Sequence, residues 1–220
     1  MQVKAIVFDL DGVITETSQL HYVAWKELAE SIGISIDEQF NECLKGVSRM
    51  GSLELILRRG GQENAYTAAE KEALAAKKNE RYVALLQSLT PENVLPGVLP
   101  FLTACRRCGL RTALASASKN APFILEKLAL CDWFDYVADA GKVAHSKPAP
   151  DIFLAAAEGL GIAPENCIGV EDAAAGIQAI HAAGMKAVGI GGEETLYEAD
   201  LLLPDTGKLD LSSILTFFTK

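Results

Sequence analysis

Five short apolar runs stand out along the 220-residue chain: Val3–Phe8, Thr112–Ala115, Tyr136–Ala138, Cys167–Val170 and Ala187–Ile190. Each is near-continuous rather than alternating, the pattern of a strand buried on both faces. Helical patterns separate one run from the next. Strand–helix alternation of this kind folds into a parallel sheet covered by helices on both sides. The pattern therefore predicts an α/β fold with a Rossmann-like parallel sheet core, in which ligands bind beyond the carboxyl ends of the strands.

The rhythm breaks after the first run. From Thr15 to about Leu89 there is no credible strand, only apolar residues at helical spacing. Leu20, Val23, Ala24 and Leu28 form one set. Leu53, Leu55, Ile56 and Leu57 form a second, and Leu74, Val83 and Leu86 a third. Thr17 or Ser18 is predicted to cap the first of these helices and Gly33 to end it. Pro91 and Pro96 mark the return to the sheet. The expected organisation is an all-helical cap, residues 17–89, inserted into a core made of residues 1–16 and 90–220. No internal repeat or low-complexity segment interrupts it.

Charge narrows the partners. Twenty basic residues against 29 acidic ones give a net charge of −9, which argues against general affinity for nucleic acid or anionic lipid. A phosphorylated substrate stays possible only if positive charge is concentrated locally. No apolar run approaches membrane-spanning length, and the N-terminus has no cleavable signal pattern, so a cytoplasmic location is expected. Cys105 and Cys108 form a CxxC, but no second CxxC or histidine pair completes a zinc set, and ordinary reduced thiols are expected.

Asp9-Leu10-Asp11-Gly12 follows the first strand directly. Residues i and i+2 leaving a strand point the same way, so both carboxyl groups can face one pocket, and Gly12 permits a sharp turn. The fourth run ends in Glu171-Asp172. Two unit charges about 4 Å apart cost roughly 4 kcal/mol at an effective dielectric near 20. Four converging carboxylates therefore call for a divalent cation and a nearby lysine. All-oxygen ligands favour magnesium over zinc. Lys147, in Ser146-Lys147-Pro148, is the natural lysine, and Ser116 at another strand end offers a hydroxyl and the amides of the following turn. Each feature alone has an ordinary explanation: a solvated turn, a surface lysine, a helix cap, an acidic helix start. Their joint occurrence at strand ends does not.

These residues resemble the haloacid dehalogenase superfamily of phosphotransferases. The resemblance is carried by VFDLDGVIT at Val7–Thr15, Ser116 after Ala-Leu-Ala, Lys147 before proline, and Gly169-Val170-Glu171-Asp172, and it spans nearly the whole chain. Within that superfamily the chain is similar to the β-phosphoglucomutase branch. The signs are Thr17 with His21 and Trp25, LKGVSR at Leu44–Arg49, LASASKN at Leu114–Asn120 and SKPAPDIF at Ser146–Phe153. One departure is Glu16, where that branch often has aspartate.

The resemblance implies that Asp9 attacks phosphorus to form an aspartyl phosphate while Asp11 is the general acid and base. It implies magnesium held by Asp9, the Asp11 backbone carbonyl and Asp172, with Glu171 contributing directly or through water. Ser116, Ala117 and Lys147 would hold the transferring phosphoryl group. Arg49 and Lys119, with Ser118 and Asn120, are the candidates for a second phosphate, since arginine offers a planar fork for phosphate oxygens. Gly46 and Val47 would lie against the sugar. His21 is expected to approach Asp11 when the cap closes, Lys78 is a second candidate for that role, and Trp25 is expected to pack between cap helices. The implied reaction interconverts β-D-glucose 1-phosphate and D-glucose 6-phosphate in a monomer acting on small sugar phosphates. The alternatives are a phosphatase on the same fold and a non-catalytic sugar-phosphate sensor. A dehalogenase would have no use for the second aspartate or the metal-binding pair.

Overall fold

The computed structural model describes residues 2–219. Its centre is a six-stranded sheet of β1 (Ala5–Phe8), β2 (Arg111–Leu114), β3 (Tyr136–Val137), β4 (Cys167–Glu171), β5 (Lys186–Ile190) and β6 (Leu201–Leu203), every neighbouring pair parallel. The spatial order is β3-β2-β1-β4-β5-β6. The hydrophobic pattern predicts the first five strands to within two residues at either end. It misses β6, whose three half-buried leucines lie at the sheet edge and are cut short by Pro204.

β1 lies at the topological switch, between β2 on one side and β4 on the other. Register fixes the level of the candidate site residues. Phe8 is opposite both Leu114 and Val170, so Asp9, Ala115 and Glu171 leave the sheet at one height. The Asp9 N–H donates to Val170 O at 2.9 Å and the Ala115 N–H to Phe8 O at 2.7 Å, extending the ladder to the site.

Side-chain alternation along β1 feeds two apolar layers. Ile6 and Phe8 join Leu114, Ile168 and Val188 on one face, beneath α5 (Val98–Arg107), α6 (Ala121–Lys127) and α10 (Leu211–Thr219). Ala5 and Val7 join Ala113, Cys167 and Ala187 on the other, beneath α7 (Asp151–Leu160), α8 (Ala174–Ala182) and the short α9 (Glu193–Leu196).

The remaining helices lie between β1 and α5: α1 (Ser18–Ser31), α2 (Glu38–Glu42), α3 (Arg49–Arg59) and α4 (Ala68–Leu86). They enclose an apolar cluster of their own, with Trp25, Leu28, Leu53, Ile56, Leu57 and Ala75. Ala24, Tyr82 and Leu86, at the base of α1 and α4, belong instead to the sheet's layer.

Two local expectations need correction. Thr17 occupies the N-cap of α1, but its side chain makes no capping bond there. Ser18 lies inside the helix and does not cap it. The Glu16 carboxylate accepts from the Ser18 N–H at 2.9 Å and from the Ser18 hydroxyl, so the departure at position 16 supplies the cap. Gly33, at φ +75°, does follow the helix end. In α4 the buried stripe is Ala75, Lys78, Tyr82 and Leu86, with Leu74 and Val83 only half-buried. A lysine thus stands where an apolar residue would complete the 3.6-residue repeat.

All five cysteines are free thiols. Cys105 is inside α5 and Cys108 at its end, and burial pushes the Cys105 thiol up to about 12. Among the described residues, no helix is long and apolar enough to cross a membrane.

Candidate active site

The site begins where β1 ends. Gly12 turns the chain at φ +74°, and a β-carbon there would lie 2.1 Å from Asp172 Oδ2. Glycine is needed both for the backbone angle and to let Asp172 approach. A β-carbon on Gly176 would similarly lie 2.0 Å from the Glu171 carboxylate. The carboxylates from β1 and β4 can converge only because both neighbouring positions lack side chains.

Lys147 is at the centre of this group and is almost fully buried. Its Nζ donates to Asp9 Oδ1 at 2.5 Å and to Glu171 Oε2 at 2.7 Å. Glu171 Oε1 accepts the backbone N–H groups of Asp172 at 3.1 Å and Ala173 at 3.2 Å. Burial opposes the charge on Lys147, but the Asp9 and Glu171 carboxylates outweigh it and raise its pKa.

One lysine does not balance four acids. Burial, with Asp9 beside it, pushes Glu171 up to about 7 despite Lys147. Asp172 is held well above the usual carboxylate range by burial, Glu171 and Asp9. Asp11 is pushed up to about 8 by burial, Asp9 and Glu16, and its Oδ1 is buried with no hydrogen-bond partner among the described residues. Carboxylate oxygens of Asp9, Glu171 and Asp172 lie within 4.8 Å of one another. Three oxygen donors carrying uncompensated charge fit a hard divalent cation. The Asp11 carboxyl is outside that trio.

Ser116 and the turn after it form a second wall. The buried Ser116 hydroxyl oxygen accepts the Ser118 N–H at 3.0 Å, and the Ser118 hydroxyl oxygen accepts the Asn120 N–H at 3.2 Å. Ala117, Ser118, Lys119 and Asn120 all face the same cavity, of about 640 Å³, as Asp9, Asp11 and Lys147.

The helices α1–α4 close the cavity from the other side. Gly46, at φ +70°, passes over Lys147: a β-carbon there would be 3.5 Å from the lysine Cδ. Val47 and Arg49 follow on the same lining, with Arg49 half-buried at the start of α3. His21 and Lys78 meet here, Nδ1 to Nζ at 2.8 Å. Lys78 Nζ sits 4.5 Å from the Trp25 ring centroid and 4.7 Å from that of Tyr82. Trp25 therefore packs between helices as expected and also faces a cation. Burial and Arg49 push Lys78 down to about 7, although Asp11 acts the other way. Burial, Lys78 and Arg49 hold His21 well below the ordinary histidine range.

Two polar lining residues with partners across the cavity escape sequence reasoning. Lys45 Nζ lies 4.0 Å from Asp172 Oδ2 and 2.9 Å from Glu42. Asn79 Oδ1 accepts from Asn120 Nδ2 at 2.9 Å. Lys45 stands inside the LKGVSR motif but reads as one more surface charge. Asn79 carries no sequence signal beyond its place next to Lys78.

The family model of haloacid dehalogenase-like hydrolases matches residues 3–184. The chain belongs to that family. Among the haloacid dehalogenase-like proteins it is 49% identical to the beta-phosphoglucomutase of Bacillus subtilis (strain 168) over 208 residues, 94% of this chain and 92% of that protein. It is 36% identical to a fructose-1-phosphate phosphatase of Escherichia coli (strain K12), covering 84% of this chain and 95% of the other. Its structure superposes on crystalline beta-phosphoglucomutase from Clostridium difficile with a TM-score of 0.98, at 45% identity, covering 99% of this chain and 98% of that one.

Proposed function

We propose that this chain is a magnesium-dependent β-phosphoglucomutase, interconverting β-D-glucose 1-phosphate and D-glucose 6-phosphate through a β-glucose 1,6-bisphosphate intermediate. One observation carries the proposal. A single cavity joins the carboxylate–lysine cluster at the ends of β1 and β4 to Lys119 and Asn120 on the turn after β2 and to Arg49 on the helices facing them. Phosphoryl transfer needs the carboxylate–lysine cluster, and a phosphate that is not being transferred needs the second set of residues.

In this mechanism Asp9 attacks phosphorus, the bond from phosphorus to the donor oxygen breaks, and an aspartyl phosphate forms. Splitting the transfer into two steps lowers each barrier. The buried Asp11 carboxyl gives its proton to the departing sugar oxygen, then takes one from the hydroxyl that attacks the aspartyl phosphate. Lys147 holds Asp9 in place and offsets charge on the transferring oxygens, together with the Ser116 hydroxyl and the Ala117 amide. Asp9, Glu171 and Asp172, with the Asp11 backbone carbonyl, would hold magnesium, which when bound neutralises these carboxylates and draws charge from phosphoryl oxygens. The bisphosphate must present either phosphate to Asp9, so Ser118, Lys119 and Asn120 on the turn, with Arg49 facing them from α3, take the other one.

The helical segment, residues 17–89, acts as a lid on the core of residues 1–16 and 90–220. Gly46 and Val47 lie against the sugar, and His21 and Lys78 approach Asp11 from the lid. Closure excludes water until a sugar hydroxyl arrives, which separates a mutase from a phosphatase on the same fold. Asp9→Asn tests the nucleophile. The variant should fold and melt as the native protein does yet form no product, because an amide cannot accept the phosphoryl group. Turnover above a contamination control contradicts the assignment.

A further inference from the structure

Asn120 stands at the N-cap of α6, where an asparagine side chain ordinarily accepts an N–H from the helix's first turn. Here it makes no such bond. Its backbone N–H goes to Ser118 Oγ, and its side-chain Nδ2 donates across the cavity to Asn79 Oδ1 on α4 at 2.9 Å. Among the described residues this is the side-chain hydrogen bond that ties α1–α4 to the loops of the sheet body. The other cross-cavity polar contact, Lys45 to Asp172, is a looser ion pair at 4.0 Å.

We propose that Asn79 is a positioning residue that latches the lid helix α4 to the Ser116–Asn120 turn through the Asn120 amide. The Asn120 side chain leaves its own helix uncapped and is held instead by the bond to α4. The amide nitrogen carries two hydrogens. Asn79 takes one and fixes the plane of the amide, and the other remains for an anion oxygen. Asn79 follows Lys78 directly on α4, so the same helix turn that holds Lys78 against His21 also grips the turn on the opposite wall. Ordering of the Asn120 amide by a phosphate and closure of α4 are then one event: each lowers the entropic cost of the other. No titration is involved, and the latch acts through Asn120 rather than on the reacting atoms.

This inference rests on the function proposed above, in that it takes the anion to be the non-transferring phosphate of a sugar phosphate. The test is a binding titration of D-glucose 6-phosphate against the magnesium-loaded protein, so it does not depend on the reaction that the bound sugar then undergoes. Native protein, Asn79→Ala, Asn120→Ala and the double variant are compared, each first shown to be folded by its thermal melt. Asn79→Ala should weaken binding about tenfold, or about 1.4 kcal/mol. The double variant should bind no more weakly than Asn120→Ala alone, because Asn79 has nothing to position once Asn120 is gone. In steady-state assays of Asn79→Ala the loss should appear in KM more than in kcat. Losses that multiply in the double variant, or an Asn79→Ala that binds as the native protein does, overturn the latch. Native protein that fails to bind glucose 6-phosphate overturns the function proposed for the cavity, and the latch with it.

Discussion

Lys78 Nζ lies 2.8 Å from His21 Nδ1, in a buried space walled by the Trp25 and Tyr82 rings. A lysine ammonium faces an imidazole kept neutral by burial, Lys78 and Arg49, and among the described residues the ammonium has no carboxylate partner in contact. Burial of that ammonium opposes folding.

That conflict has a measurable sign. The Lys78 pKa falls from 10.5 to about 7 on folding. Between those values the unfolded chain binds more protons than the folded one, so this group makes stability rise with pH from about 7 to about 10.5. Each unit of displacement is about 1.4 kcal/mol. Lys78→Met should therefore raise the melting temperature at pH 7, by about 2–4 °C per kcal/mol recovered, and flatten this part of the pH profile, while isomerisation falls. Melts at pH 7 and pH 9.5 check it. A variant less stable than the native protein at pH 7 means that Lys78 serves the fold rather than the substrate.

Gly176 offers a test of the carboxylate cluster. In an exposed helix Gly→Ala gains about 1 kcal/mol. On α8 the added carbon would lie 2.0 Å from the Glu171 carboxylate, so the sign should reverse. Overpacking of this kind costs about 1–3 kcal/mol, and Glu171 must move to relieve it. Gly176→Ala should melt earlier and bind magnesium at least about tenfold more weakly. Native magnesium affinity in that variant rules out the proposed ligand set.

Asp172 separates the metal's effect on stability from its effect on turnover. Its pKa is held well above the carboxylate range, so ionising it opposes folding as pH rises from near 4 through the folded value. Asp172→Asn should stabilise the metal-free protein at pH 7, whereas magnesium should raise the melting temperature only of the native chain. Chelation should abolish native activity and added magnesium restore it. Full activity after exhaustive chelation contradicts the metal site.

Much of this was legible in the chain because strands at a sheet centre are written in runs of apolar residues, and register places the residues just beyond their carboxyl ends. Asp9, Ser116, Glu171 and Asp172 could be read together for that reason. β6 could not, since three leucines before a proline look the same in a loop or a helix end. Lys78 was harder still. Helical periodicity marks α4, but a buried lysine inverts the rule by which the inward face is found, so the pattern points to Leu74 and Val83 instead. Asn79 and Lys45 matter through partners 41 and 127 residues distant, Asn120 and Asp172, and no local spacing encodes such a pairing.

The central claim is that Arg49 and the Ser118–Asn120 turn, by holding a second phosphate, turn a phosphate-accepting aspartate into a mutase. The direct measurement is the fate of β-D-glucose 1-phosphate supplied with catalytic glucose 1,6-bisphosphate and magnesium, following glucose 6-phosphate and inorganic phosphate together in the native protein and in Arg49→Ala. Native protein should form glucose 6-phosphate far faster than phosphate. Arg49→Ala should lose isomerisation by about 100-fold or more, about 2.7 kcal/mol, with a much smaller effect on slow hydrolysis, because only isomerisation needs the distal phosphate anchored. A native protein that chiefly releases inorganic phosphate, or an Arg49→Ala that lowers both rates equally, contradicts the account and leaves a phosphatase.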